Sequence, residues 1–223
     1  MARRRTVVLG KGTLAIKIAN WFLESADYDL RHVVPVVPEP GWTESLSAWA
    51  STHGVSVVES GHWRDLPGAA AVAEDGPPVR HDLGISVFYD KILPAEFIAR
   101  FDRLLNLHNG PLPRYRGVSP INWALKNGET THGVTIHEIT RGIDSGPIVA
   151  KLDYSIYPEF DEVADVYERA LEYGWVLFRQ TMPMLDRIRA RPQDEAQTTY
   201  YSTTDKELLD ERSGFTRELS LRK

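Results

Sequence analysis

A short apolar run, a glycine turn and an amphipathic helix open the chain, and this order of elements constrains its architecture more than any other feature. Residues 6–9 read as a buried strand and Gly10-Lys11-Gly12-Thr13 as a tight turn. The stretch that follows carries Leu14, Ile18, Ala19 and Phe22 on one helical face. Further β-rich runs lie at 30–37, 55–58, 83–88 and 104–108, with a helix expected over 44–52 and another opened by Pro94 in its first turn. Strands alternating with helices predict an α/β chain built on a Rossmann-like, doubly wound, mostly parallel sheet. Residues 60–80 hold Gly61, Pro67, Gly68, Gly76, Pro77 and Pro78 and read mostly as loop.

Beyond residue 110 the pattern changes. Ser119-Pro120 is a cap and first-residue pair for a helix through Asn127, stopped by Gly128. Residues 131–139 and 148–154 read as two strands joined by a glycine-rich loop. A long helix follows, with Val163, Val166, Ala170, Leu171, Leu177 and Phe178 at helical spacing, and Pro183 should kink or end it. The polar tail contains Thr204-Asp205-Lys206-Glu207, a capping-box pattern for a last short helix. One continuous domain is expected over 1–195, with a C-terminal extension over 196–223.

Composition removes several function classes. Without cysteine there is no disulfide, zinc–thiolate site, iron–sulfur cluster or thiol nucleophile. A net charge of −5, from 26 basic and 31 acidic residues, argues against a general basic surface for nucleic acid. No apolar run approaches the roughly 20 residues that span a bilayer. Arg3-Arg4-Arg5 is not followed by the apolar stretch of an export signal, so a cytoplasmic protein away from membranes is expected. His132 and His137, five apart on a predicted strand, face opposite ways and cannot share a metal there. His32, His53, His62 and His81 lack partners at ligand spacing, so no metal is expected.

The residues richest in chemistry run from Asn106 through His108 into Leu112-Pro113-Arg114-Tyr115-Arg116-Gly117. Alternation places Leu104, Asn106 and His108 on one face of a strand, at the carboxyl edge where open α/β sheets bind ligands. Gly110, Pro111, Pro113 and Gly117 make the following loop stiff. An amide donor beside an imidazole suits acyl transfer, because one stabilises an oxyanion and the other moves a proton. A polar strand end can equally serve as a loop anchor. The second piece is Gly142-Ile143-Asp144-Ser145-Gly146-Pro147, whose glycines let a tight turn present a carboxylate. Asp144 near an imidazole would orient it and favour its charged form; alone, it reads as an Asx-turn in a hairpin loop.

Together these pieces resemble the 10-formyltetrahydrofolate-dependent formyltransferases, a family that includes glycinamide ribonucleotide transformylase, methionyl-tRNA formyltransferase and the sugar N-formyltransferases. The resemblance covers about residues 82–155, with Trp123-Ala124-Leu125, Gly128 and His132-Gly133-Val134-Thr135 adding to it. It implies that Asn106, His108 and Asp144 are the catalytic set. It implies 10-formyltetrahydrofolate as co-substrate, its pterin held by Phe88, Tyr89, Ile92 and Leu93 and by the loop Ile139, Thr140, Arg141, Gly142 and Ile143. Ordinary core packing remains the competing reading for Phe88, Ile92 and Leu93.

The opening turn has two readings as well. Gly10-Lys11-Gly12-Thr13-Leu14-Ala15 fits the G-x-G-x-x-A dinucleotide fingerprint, which would make the chain an NAD(P) oxidoreductase. Glu39, however, comes late for a ribose ligand. The resemblance instead implies that Gly10, Lys11, Gly12 and Thr13 face the amine acceptor and its phosphate. The turn departs from the Gly-x-Gly-Ser-Asn run of the purine enzyme, whereas Asn109-Gly110-Pro111 and Tyr200-Tyr201-Ser202 look more like the sugar enzymes. Roughly 70 residues follow Tyr154, mostly one helix and a tail, less than the tRNA-binding domain of the methionyl-tRNA enzymes. The expected partner is a small-molecule amine on a nucleotide-linked amino sugar, with phosphoribosylglycinamide as the alternative acceptor. No nucleic-acid partner is expected, and a homodimer is a candidate assembly. A non-catalytic folate or nucleotide-sugar binding protein is the remaining alternative, against which the intact Asn106, His108 and Asp144 argue.

Overall fold

The computed structural model describes residues 2–67 and 80–209. The chain divides into two units, Met1–Asn106 and Leu107–Lys223. The expected loop glycines and prolines Gly68, Gly76, Pro77 and Pro78, and the tail beyond residue 209, lie outside the described residues.

In the first unit, β1 (Arg4–Gly10) is followed by α1 (Gly12–Glu24) and β2 (Tyr28–Pro35), then α2 (Leu46–Thr52), β3 (Ser56–Val57), β4 (His81–Val87) and α3 (Ala95–Ile98). Strand β5 (Phe101–His108) runs across the division into the second unit. β1 pairs in parallel with β2 on one side and β4 on the other, and β2 pairs in parallel with β3. A strand covered on both faces reads as a continuous apolar run. Val7, Val8 and Leu9 are accordingly fully buried. α1 buries Leu14, Ala15, Ile18, Ala19 and Phe22 along one stripe. Each of the larger side chains contributes roughly 1.5–3 kcal/mol by leaving water.

The second unit contains β6 (Arg116–Gly117), α4 (Pro120–Lys126), β7 (Thr131–Glu138), β8 (Ile148–Ser155), α5 (Val163–Thr181) and β9 (Tyr200–Tyr201). β7 and β8 are antiparallel, and α5 lies against this pair with Val166, Ala170 and Phe178 buried. Seven strands form one sheet in the order β3-β2-β1-β4-β5-β7-β8, while β6 and β9 form a separate parallel pair. The expected mostly parallel α/β sheet is present. Among the described residues, no helix is long and apolar enough to cross a membrane.

Several local expectations need correction. Ser119 does precede α4 and Pro120 opens it, but Ser119 adopts a left-handed backbone (φ 55°) and its side chain makes no capping bond. Pro94 sits at the cap of α3 rather than inside its first turn. The capping box expected from Thr204 and Glu207 is not formed: Thr203 is the cap, without a side-chain bond, and Thr204 is already inside the turn, while Asp205 bonds elsewhere. Its carboxylate turns back to accept from the Ser202 backbone and hydroxyl, at 2.5 and 2.6 Å, and the segment Thr204–Leu208 is 3-10. α5 ends at Thr181, and Pro183 belongs to the 3-10 turn Met182–Arg187 that follows, as its missing N–H requires.

Gly10 shows why the opening turn admits no side chain. Its φ is +146°, and a Cβ there would lie 2.0 Å from the Val87 carbonyl oxygen on β4. Gly10→Ala should therefore destabilise by more than the roughly 1 kcal/mol of a simple glycine replacement. For a chain of this length each kcal/mol lowers the melting temperature by about 2–4 °C. Calorimetry of the variant should show at least that fall; an unchanged midpoint would contradict the close approach of β1 and β4.

Candidate active site

His108 is the last residue of β5 and only 6% exposed. Its Nε2 lies 2.8 Å from the Tyr115 carbonyl oxygen. A carbonyl only accepts, so Nε2 carries the proton and Nδ1 of the neutral ring offers its lone pair. Nδ1 faces Asp144 Oδ2 at 3.5 Å. That oxygen accepts from the Gly117 backbone N–H at 2.9 Å. The other carboxylate oxygen, Oδ1, lies 3.4 Å from Nε2 of His137. Nδ1 of His137 lies 3.0 Å from the Glu138 carbonyl oxygen. One carboxylate thus sits between two imidazoles, each anchored through its far nitrogen to a backbone carbonyl.

The electrostatics follow from that arrangement. Burial opposes charge on Asp144, but His108, His137 and the Gly117 N–H outweigh it and hold the carboxyl well below the usual carboxylate range. Burial pushes His108 below the ordinary imidazole range; the Asp144 charge and the Tyr115 carbonyl push back, and His137 adds to the lowering. The two shifts favour charge on Asp144 and oppose it on His108. A proton arriving at Nδ1 would give His108 two donors, one toward Tyr115 and one toward Asp144.

The local backbone is built for this. Asp144 (φ 48°) and Tyr115 (φ 62°) are both non-glycine residues in the left-handed region. Each such residue costs of order 1–3 kcal/mol and persists only where its surroundings hold it. Thr135 on β7 pins the loop after His108, donating to the Gly110 carbonyl at 2.8 Å and accepting from Leu112 N at 3.2 Å. Asn106 lies two residues before His108 on the same strand and is half-buried. Strand alternation gives the two side chains one face.

His137 was not among the expected site residues. Tested only as a metal partner for His132, it faces away from that residue, as alternation requires. The signal that finds it is its register: Thr135 and His137 share one face of β7 immediately before the glycine-rich loop that carries Asp144. Among the described residues, no group of three or more His, Cys, Asp or Glu side chains could hold a metal ion.

The expected folate loops have the following local structure. In the first unit, Phe88 leaves β4 with a left-handed backbone (φ 57°) and is half-buried. The Tyr89 hydroxyl donates to the Gly61 carbonyl at 2.8 Å and accepts from Trp63 N at 3.1 Å, so its polar end ties the loop down. Leu93 is buried and Ile92 is 73% exposed. In the second unit, Ile139 is half-buried, while Thr140, Arg141, Gly142 and Ile143 are exposed.

At the opening turn, Lys11 caps α1 with no side-chain bond, and its ammonium lies 6.0 Å from the centre of the Trp42 ring. Thr43 Oγ1 lies 2.7 Å from where a Cβ on Gly12 would stand. Glu39 has another use. Its carboxylate accepts from Leu46 N at 2.8 Å, from Ser47 N at 3.2 Å and from the Ser45 hydroxyl, and so caps α2. A carboxylate engaged on both oxygens is a poor ribose ligand, which adds to the case against a dinucleotide at this turn.

A family profile described as formyl transferase matches residues 4–181. The methionyl-tRNA formyltransferase of Deinococcus radiodurans is 38% identical over 138 residues, 61% of this chain and 41% of the relative. The chain spans less than half the length of the curated relatives it matches. Among solved structures, WlaRD, a sugar 3N-formyl transferase with dTDP and 5-N-formyl-THF, superposes with a TM-score of 0.76 at 23% identity, covering 92% of this chain and 72% of that one. The formyltransferase PseJ of Anoxybacillus kamchatkensis, in complex with UDP-4,6-dideoxy-4-formamido-L-AltNAc and tetrahydrofolate, gives a TM-score of 0.64 at 26% identity, covering 95% and 94%.

His132 supplies a test of the burial around this site. It is fully buried on β7, with Nε2 3.2 Å from the Asn109 carbonyl, and burial pushes its pKa down from 6.5 to about 4. A histidine depressed in the folded state contributes stability that is intact above the unfolded value and lost as pH falls. From pH 6.5 to about 4 the loss should reach on the order of 3 kcal/mol. His132→Gln should flatten that part of a stability-against-pH curve measured by urea unfolding. A variant slope equal to the wild-type slope would contradict the burial.

Proposed function

The chain belongs to the formyl transferase family, and from that premise we propose that it moves the formyl group of 10-formyltetrahydrofolate to a primary amine. The observation that carries the proposal is the buried Asp144 carboxylate between His108 and His137, with Asn106 two residues before His108 on β5. The folate supplies an activated formyl group. Asn106 donates its amide N–H to the oxygen that gains charge as the amine attacks. Nδ1 of His108 accepts the amine proton, and Asp144 stabilises the imidazolium that forms. The proton then passes to the departing folate nitrogen, so that an amine and a formyl-folate become a formamide and tetrahydrofolate. In the first unit Phe88 and Leu93 offer apolar groups, and in the second the loop Ile139, Thr140, Arg141, Gly142 and Ile143 offers backbone groups, each of a kind a pterin needs.

The acceptor we propose is the amine of a nucleotide-linked amino sugar. Its diphosphate would meet the Gly10-Lys11-Gly12-Thr13 turn, where backbone N–H groups at the start of α1 and the Lys11 ammonium favour an anion. The match to PseJ over nearly the full length of both chains supports this reading. A second reading, methionyl-tRNA, is favoured by the 38% identity to the Deinococcus enzyme. Glycinamide ribonucleotide, with a single phosphate, is the third acceptor to test.

Asn106→Ala should lower turnover by roughly 10²–10³, the usual cost of one oxyanion donor. His108→Ala should cost roughly 10²–10⁴, and Asp144→Ala a comparable amount without unfolding the protein. A folded variant that keeps wild-type turnover would remove that residue from the mechanism. Competition kinetics with a uridine- or thymidine-diphosphate amino sugar, glycinamide ribonucleotide and methionyl-tRNA should give the sugar the highest kcat/KM. A higher value for either of the others would overturn the acceptor and leave formyl transfer standing.

A further inference from the structure

The segment 191–201 has few apolar residues and little regular structure, a single 3-10 turn at Glu195–Gln197 and the two residues of β9. Its hydrogen bonds nevertheless converge on the residues around Asp144. Arg191 opens it with a reciprocal backbone pair to Ile148 at the start of β8, at 2.7 and 2.8 Å. Gln193 follows with all four of its amide positions in use. Its Nε2 donates to the carbonyls of Asp144 at 2.7 Å and Gly146 at 2.8 Å. Its Oε1 accepts from Arg116 Nε at 3.0 Å and Nη2 at 2.8 Å. Glu195 accepts from the same guanidinium on both oxygens, at 2.8 and 3.0 Å.

The segment then runs beside the other half of the site. The Thr199 carbonyl accepts from Arg116 N at 2.9 Å, and its hydroxyl accepts from Tyr115 N at 2.8 Å. The Tyr201 carbonyl accepts from Val118 N at 2.9 Å, and the Tyr201 ring stacks on Trp123 at 4.1 Å and 12°. Between these bonds lies Gly117, with φ +90°, where a Cβ would stand 2.1 Å from the Tyr201 carbonyl oxygen. Gly117 is the residue whose N–H holds Asp144 Oδ2, and Tyr115 the one whose carbonyl holds His108.

We propose that the segment 191–201 is a strap that positions Asp144 against His108, with Gln193 as the positioning residue that fixes the left-handed Asp144 backbone. The role rests on formyl transfer only for its catalytic readout. The separation of 3.5 Å between the carboxylate and Nδ1 is looser than a hydrogen bond, so it depends on where the loop is held. Gln193 grips the loop from the backbone side while Gly117, itself gripped by β9, takes the side chain. Removing the amide frees two carbonyls and the turn that aims the carboxylate. A mispositioning of about 1 Å can cost about a hundredfold in rate.

Two substitutions separate positioning from simple support. Gln193→Ala removes every bond. Gln193→Glu keeps acceptors for Arg116 but loses both donors and sets a charge beside two carbonyls. Both should fold, and both should lower kcat about 10–100-fold with little change in KM for the folate or the amine. Recovery of kcat in Gln193→Glu would assign the role to Arg116 and overturn the proposal. A second readout needs no substrate: nitrogen NMR of histidine-labelled protein, following the His108 ring. The titratable groups that act on His108 are Asp144, His137 and His132. With Asp144 displaced, His108 loses the charge that favours its protonation, and its titration should move to lower pH in both variants. An unchanged His108 titration in a folded variant would overturn the proposal. If no amine accepts a formyl group from the wild type, the functional reading fails, and the His108 titration still decides the strap. Should Gln193→Ala not fold, Gln193→Asn, one methylene shorter, carries the same two measurements.

Discussion

A carboxylate with little access to water organises the second unit. Asp144 receives the Gly117 N–H on Oδ2, and an imidazole faces each of its oxygens, so that a proton on either facing nitrogen would answer its charge. Removing charge from water is expensive unless partners replace the lost hydration. Those partners dictate much of the local sequence. Gly117 is needed so that its N–H can turn toward the carboxylate while β9 lies against it. Tyr115 takes a left-handed backbone that offers its carbonyl to His108. Thr135 stitches the loop between them to β7. The strain at Asp144 and Tyr115 is local, and the bonds that offset it come from β7, β6 and the segment ending in β9.

In the first unit the same economy serves a different end. β1 and β4 approach so closely at Gly10 that only a glycine fits, and the turn leads into the start of α1, where no side chain caps the helix. Glu39, already late in the sequence for a ribose ligand, is committed to the N-terminus of α2. With that carboxylate committed elsewhere, the turn suits the proposed anionic acceptor better than NAD.

The sequence was most readable where periodicity was strong. The strand and helix runs of the first unit, the long helix α5 and the alternation along β5 all follow from apolar spacing. Asn106, His108 and Asp144 stood out because polar residues ended a strand and a glycine-rich loop presented a carboxylate. Four features were not legible. His137 was weighed only as a metal partner for His132, since its place before the glycine-rich loop does not by itself tell that the loop turns its carboxylate back. Gln193 lay at the end of the expected domain, in a stretch given no role; its value comes from carbonyls 47 and 49 residues away, a long-range pairing with no period. The caps expected at Ser119 and Thr204 failed because Ser119 takes a left-handed backbone and the last turn starts one residue earlier, at Thr203. The pairing of Arg116–Gly117 with Tyr200–Tyr201 is too short to leave a strand signature.

The account reduces to one chemical claim, that this chain passes a formyl group from a reduced folate to an amine. The most direct test follows the formyl carbon itself. The protein would be incubated with 10-formyltetrahydrofolate labelled at that carbon and with each of a panel of amines, and the label located by carbon NMR. The account predicts a new formamide signal on one amine, rising with an equal amount of tetrahydrofolate. Label that remains on the folate with every amine, or that appears only as free formate, would contradict it.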